Sequence, residues 1–197
     1  KFKGENTRPV IYFGFSETAT QKYQIENKTA ILDAVQIPIE VTDCPKCGNK
    51  LAYSHINYGH LGHYGCQKCD FKRPDTQITL LDFEVSAGNP TKLTLQLEDN
   101  TICNLHINLE GRFNFYNVLA AIAGVYKMQP ELATETMLQN GLDQYQSIFG
   151  RSQACAVNDK SVMFYLIKNP IGAGEVLKTI THVQNRQCLI VINDLAA

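Results

Sequence analysis

The residues with the clearest chemistry are Cys44, Cys47, Cys66 and Cys69, arranged as two Cys-x-x-Cys hooks in CPKCGNKLAYSHINYGHLGHYGCQKC. Two residues between cysteines let both thiolates of a hook face one tetrahedral ion, and the loop between the hooks has the length of a zinc ribbon. Gly48 and Gly65 stand where a tight turn beside each hook is needed. Four thiolates close the coordination sphere and leave no position for a reactive water, so the expected ion is structural zinc, not catalytic or redox metal. Two disulfides would use the same four residues. However, Cys103, Cys155 and Cys188 lie in apolar, strand-like runs and make the total odd, which argues against an oxidising compartment. His55, His60 and His63 lie between the hooks and could each replace a thiolate, but both hooks are complete without them.

Zinc ribbons also serve as docking modules for proteins or nucleic acids. Here Tyr53, Tyr58 and Tyr64 would offer stacking surface. The local charge opposes a phosphate-tracking role, because Lys46, Lys50, Lys68, Lys72 and Arg73 are interspersed with Asp43, Asp70 and Asp75, and the 197-residue chain has a formal charge of −1.

The elements around the hooks set the architecture. Val10 to Phe15 reads as a buried strand, residues 16 to 28 as a loop or weak helix, and Ala30 to Glu40 as an apolar approach to the first hook. Gln77 to Val85, Lys92 to Leu97 and Thr101 to Ile107 read as strands, the last two joined by a polar turn at Glu98-Asp99-Asn100. Strand-like sequence on both sides makes the ribbon an insertion into a larger domain. Beyond Gly111, Phe115, Val118, Leu119, Ile122 and Tyr126 recur at helical spacing, and Pro130 opens a second helix running to Leu142 with Leu132, Met137 and Leu138 inward. Gly141 to Gly150 is the connector. A strand at Ser161 to Ile167, a turn at Pro170/Gly172/Gly174, a helix at Glu175 to Val183 and a strand at Gln187 to Ile192 give the alternation that begins a parallel α/β unit. With 44% apolar residues the chain can bury a sizeable core. No run approaches the roughly 20 apolar residues of a membrane span, and KFKGENTRP lacks a secretory core; a cytoplasmic protein is expected.

Gly111-Arg112-Phe113-Asn114-Phe115-Tyr116-Asn117-Val118-Leu119-Ala120-Ala121 resembles the G-x-H-N-x-x-N-x-L-A-A segment of the Mur ligases, with Phe113 in place of the usual histidine. Phe149-Gly150-Arg151 is similar to the family's hinge signature, and Lys168-Asn169-Pro170 with Glu175-Val176-Leu177 resembles the K-N-P run of its amidating branch, the ligase-like subunits of lipid II isoglutaminyl synthase. That branch carries a four-cysteine ribbon in its central domain. The resemblance implies a partial Mur-ligase central domain over 1–150 with the ribbon inserted at about 41–74, then the start of a Rossmann-like C-terminal domain over 151–197. It also implies MgATP binding, with Asn114 and Asn117 beside the adenine, Arg151 on the nucleotide and Lys168 near a phosphate or carboxylate. The implied activity is amidation of the D-glutamate α-carboxylate of lipid II, at the inner face of the membrane, with ammonia from a GatD-like glutamine amidotransferase partner. No G-x-x-x-x-G-K-[ST] loop occurs in the chain. The family's later aspartate-bearing segment is expected beyond Asp194, so no catalytic residue is assigned and an internal fragment, inactive alone, is expected.

Overall fold

The structure is a computed structural model that describes residues 10–27, 41–85, 89–109, 113–145, 152–168, 170–181 and 187–192. Its core sheet contains β1 (Phe13–Phe15), β4 (Ile78–Glu84), β5 (Thr91–Gln96) and β6 (Ile102–Ile107) in the order β1-β4-β5-β6. β1 runs parallel to β4, and the remaining pairs are antiparallel. Alternation explains the shared inner face: Leu93 and Leu95 on β5 and Cys103, Leu105 and Ile107 on β6 are buried while their neighbours point outward. β4 keeps that face through a register shift between Leu80 and Asp82, which lets both Leu80 and Phe83 reach the core.

Two helices meet this sheet. α2 (Asn114–Met128) buries Phe115, Tyr116, Val118, Leu119, Ile122 and Ala123, as its spacing requires, and Tyr126 is half-buried. α1 (Glu17–Asn27) occupies the segment expected to be loop or weak helix. Ser16 explains its start, because its Oγ accepts from Ala19 N at 3.0 Å as an N-cap does. α1 buries only the short or edge-on face of Ala19, Thr20 and Tyr23, so it lacks an apolar stripe. The expected strand at 10–15 is shortened to β1, and the approach at 30–40 lies outside the described residues.

The single helix expected from Pro130 is instead a 3-10 turn at Pro130–Leu132 followed by α3 (Glu135–Gln144). Thr134 divides them, its side chain accepting from Met137 N at 3.4 Å. This break rotates the inward face: Leu138 is buried, Leu132 is half-buried and Met137 is exposed. α3 lies along β6, where Glu135 accepts from Asn104 N at 2.7 Å, and Gln139 both accepts from His106 N at 2.8 Å and donates to His106 O at 3.0 Å.

β2 (Leu51–Tyr58) and β3 (Leu61–Cys66) form the antiparallel ribbon hairpin. Gly62 is required by the closeness of its strands, since an added Cβ would fall 2.1 Å from His55 O. The end of this hairpin away from the cysteines is seated in the core. Asn57, only 4% exposed, donates from Nδ2 to Thr20 Oγ1 at 3.2 Å and to Tyr116 OH at 3.0 Å. Thr20 Oγ1 lies 3.1 Å from His63 Nε2, and Arg73 Nη1 lies 3.1 Å from both ring nitrogens of His63. Arg73 Nη2 also donates to Phe15 O at 3.0 Å, in space left by Gly14, where an added Cβ would sit 2.5 Å from Nη2. Burial, then the charge of Arg73 and the neighbouring His55, hold the His63 pKa below its usual value.

The C-terminal residues differ from expectation. β7 (Ser152–Val157) and β8 (Lys160–Tyr165) form an antiparallel hairpin, turned by Asn158 and Asp159 at φ 48° and 61°. Such a two-residue turn needs left-handed backbone at both positions, which asparagine and aspartate tolerate. α4 (Pro170–Thr181) begins at the proline, not at Glu175, because proline suits the first helical turn. Residues 187–192 form no strand and are exposed, so the described residues contain no parallel partner for β8.

Replacing fully buried Leu80 on central β4 by alanine should lower stability by about 2–5 kcal/mol, measurable by denaturant melts. For His63, the lowered folded pKa means the unfolded chain binds the proton first as pH falls. Its contribution should therefore be complete above about 6.5 and decline below it, and His63→Gln should flatten that part of the stability–pH curve relative to wild type.

Candidate functional site

The hooks approach each other from two tight loops. In the first, Cys44 N donates to Asn49 O at 2.7 Å and Gly48 N to Cys44 O at 2.8 Å, with Gly48 in the left-handed region at φ 74°. In the second, Cys66 N donates to Phe71 O at 2.7 Å and Lys68 N to Cys66 Sγ at 3.4 Å. Gly65 does not make the second turn; it is a β3 residue paired with Ala52 and bridged to Lys72. Lys46 of one hook is ion-paired with Asp70 of the other, which lowers the Asp70 pKa and raises that of Lys46.

All four sulfurs lie within 4.8 Å of one another, with Cys44 and Cys69 at 3.7 Å and Cys47 and Cys66 at 3.5 Å. A tetrahedral ion with bonds of about 2.3 Å places its sulfurs about 3.8 Å apart, so this donor set fits one metal ion. Hydrogen bonds from the backbone and then the side chain of Asn49 bring the Cys47 pKa down to about 6. At Cys69 the Phe71 N–H pulls downward, but desolvation and hydrogen bonds to Cys47, Cys66 and Cys44 prevail and push it up to about 12. Without a cation, the surroundings favour the thiolate at Cys47 and oppose it at Cys69.

The three loop histidines take no place in this set. His63 belongs to the seat on α1, and His55 packs edge-on against it with ring centroids 6.0 Å apart. The tyrosines of the docking alternative are also engaged in the fold. Tyr53 and Tyr64 pair across the hairpin at 5.5 Å, Tyr64 stacks on Phe71 at 6.0 Å, and Tyr58 packs against the core. Beside them a groove of about 800 Å³ separates the ribbon from the β1–α1 turn, with Ser16, Glu17, His63 and Arg73 in its wall.

Asn114 and Asn117 come together on the first turn of α2, where Asn117 Nδ2 donates to Asn114 Oδ1 at 2.8 Å. Asn117 is exposed and Asn114 half-buried. Lys168 is exposed beyond the end of β8, and Arg151 lies outside the described residues, so the expected four-residue grouping is represented by its asparagine pair. Sequence reasoning missed Asn57, Thr20 and Tyr116. Each lies in a stretch with an unremarkable pattern, and their association depends on contacts between distant segments.

No protein-family model matches the chain. It is similar to the lipid II isoglutaminyl synthase (glutamine-hydrolyzing) subunit MurT of Streptococcus pneumoniae, 29% identical over 180 residues, covering 91% of this chain and 36% of the relative. It is also similar to the subunit of the same name from Staphylococcus aureus, in two strains, 34% identical over 156 residues, covering 78% of this chain and 33% of the relative. The chain thus spans about a third of the length of the curated relatives it matches. Over most of its residues this chain is MurT-like.

Proposed function

We propose that the chain belongs to the ATP-dependent subunit of a lipid II isoglutaminyl synthase that converts the α-carboxylate of D-glutamate in lipid II to an amide. The observation that carries this reading is the match to MurT subunits of two bacterial genera, reaching 91% of the chain. In this reading residues 1–150 belong to a Mur-ligase central domain and 151–197 begin the C-terminal domain. A carboxylate oxygen attacks the γ-phosphorus of ATP and ADP leaves, forming an acyl phosphate. Ammonia from a GatD-like glutamine amidotransferase partner then attacks the carbonyl carbon, phosphate departs, and the nitrogen loses a proton to give D-isoglutamine. Phosphorylation turns a poor leaving group into a good one, and the protein must keep water from the acyl phosphate.

The roles we assign here are nucleotide binding and structural support. Asn114 and Asn117 present amide groups that suit the edge of an adenine. Arg151 supplies a planar fork for phosphate oxygens and Lys168 a point charge nearby. Magnesium accompanies the ATP phosphates. Cys44, Cys47, Cys66 and Cys69 hold zinc, which organises the hairpin and takes no part in the transfer. The work is done in the cytoplasm at the inner face of the membrane; among the described residues no helix is long and apolar enough to cross it.

Three measurements bear on this reading. Metal analysis should return about one zinc per chain, and chelation should unfold the ribbon hairpin, seen as loss of amide protection over 44–72; a metal-free chain with the hairpin intact contradicts the role. The full-length subunit should be stabilised against heat by MgATP and not by RNA. Asn117→Leu should weaken ATP binding by about fivefold to tenfold with an unchanged melting temperature, consistent with one lost hydrogen bond of roughly 1 kcal/mol.

A further inference from the structure

We propose that Asn57 and Tyr116 are positioning residues of the nucleotide site, through which the seat of the ribbon sets the placement of Asn114 and Asn117. This rests on the nucleotide reading of that asparagine pair. Phe113, at the N-cap of α2, has helical dihedrals (φ −60°, ψ −24°) and provides no side-chain cap, so tertiary contacts must fix the first turn. Tyr116 supplies them from between the two asparagines. Its ring stacks on Phe15 with centroids 4.6 Å apart and planes 13° from parallel, and its hydroxyl receives the Asn57 amide at 3.0 Å.

Asn57 belongs to the inserted hairpin, not to the sheet that α2 covers. It is a poor choice for cohesion alone, since its buried Oδ1 has no hydrogen-bond partner among the described residues. Its two donated bonds instead tie β2 to α1 through Thr20 and to α2 through Tyr116. The same contacts continue through His63 and Arg73 to the second cysteine loop, where Arg73 N donates to Tyr64 O at 3.0 Å and Cys66 N to Phe71 O at 2.7 Å. These hydrogen bonds, with the backbone of the second cysteine loop, therefore join that loop to the turn that presents Asn117.

The test uses the full-length subunit loaded with zinc, titrated with a fluorescent ATP analogue, with zinc content and melting temperature measured alongside. Tyr116→Phe and Asn57→Leu should each raise the Kd about threefold to tenfold at undiminished zinc content, and the double variant should be no weaker than the worse single, because both remove the Asn57–Tyr116 bond. Asn117→Ala serves as the reference. If it weakens binding while Tyr116→Phe leaves the Kd unchanged, the positioning role is overturned and the nucleotide reading stands. If neither changes the Kd, both are overturned. Should Asn57→Leu fail to fold, Tyr116→Phe decides alone, and a lower melting temperature with unchanged Kd marks a purely structural contact.

Discussion

A two-stranded hairpin outside the core sheet has too little apolar surface to be stable by itself, so the ribbon depends on being held at both ends. At one end four sulfurs converge closely enough that their charges can coexist only around a cation. At the other, Asn57 is buried between Thr20 and Tyr116 and fixes the hairpin to two helices at once. The strands between these anchors contribute mainly backbone pairing and the tyrosine pair. Gly62 reflects the same economy, because the strands approach too closely for any side chain there.

The core follows different physics. Its stability comes from alternating strands and the apolar face of α2, with Phe15, Phe83 and Phe115 forming an aromatic cluster at ring separations of 5.1 to 6.3 Å. Phe15 joins this cluster to the ribbon seat, since it also stacks on Tyr116 and its carbonyl receives Arg73. Phe15, at the end of β1, and Tyr116 thus belong to both the core and the ribbon seat.

What could be read from the sequence depended on whether the determining contacts were local. The hooks, the β5–β6 hairpin and the inward face of α2 have short-range signatures, and the structure reproduces them. α1 was obscured because its helix is set by the Ser16 cap and by docking, not by an apolar stripe. The split at Pro130 went unread because Thr134 restarts the helix only four residues after a proline that itself suits a helix start. β7 was missed although Asn158-Asp159 is a hairpin signal, and the apolar run at 187–192 pairs with no strand among the described residues. For the site, residue types and spacing picked out the four cysteines that the structure draws together, and the family resemblance picked out the two asparagines that meet on the first turn of α2. Neither could reveal the seat, where positions 20, 57 and 116 meet only after three separate elements have packed.

The clasp of Gln139 on His106 has a further consequence. A primary amide that both accepts and donates to one residue's backbone imitates the next strand of a sheet, and Glu135 occupies the neighbouring donor at Asn104. The outer margin of β6 is thereby closed by side chains of the same molecule. An extended peptide from another chain would find these ladder positions taken, so growth of the sheet by strand addition is blocked along that border. A helix standing in for a strand closes this border without adding another strand to fold.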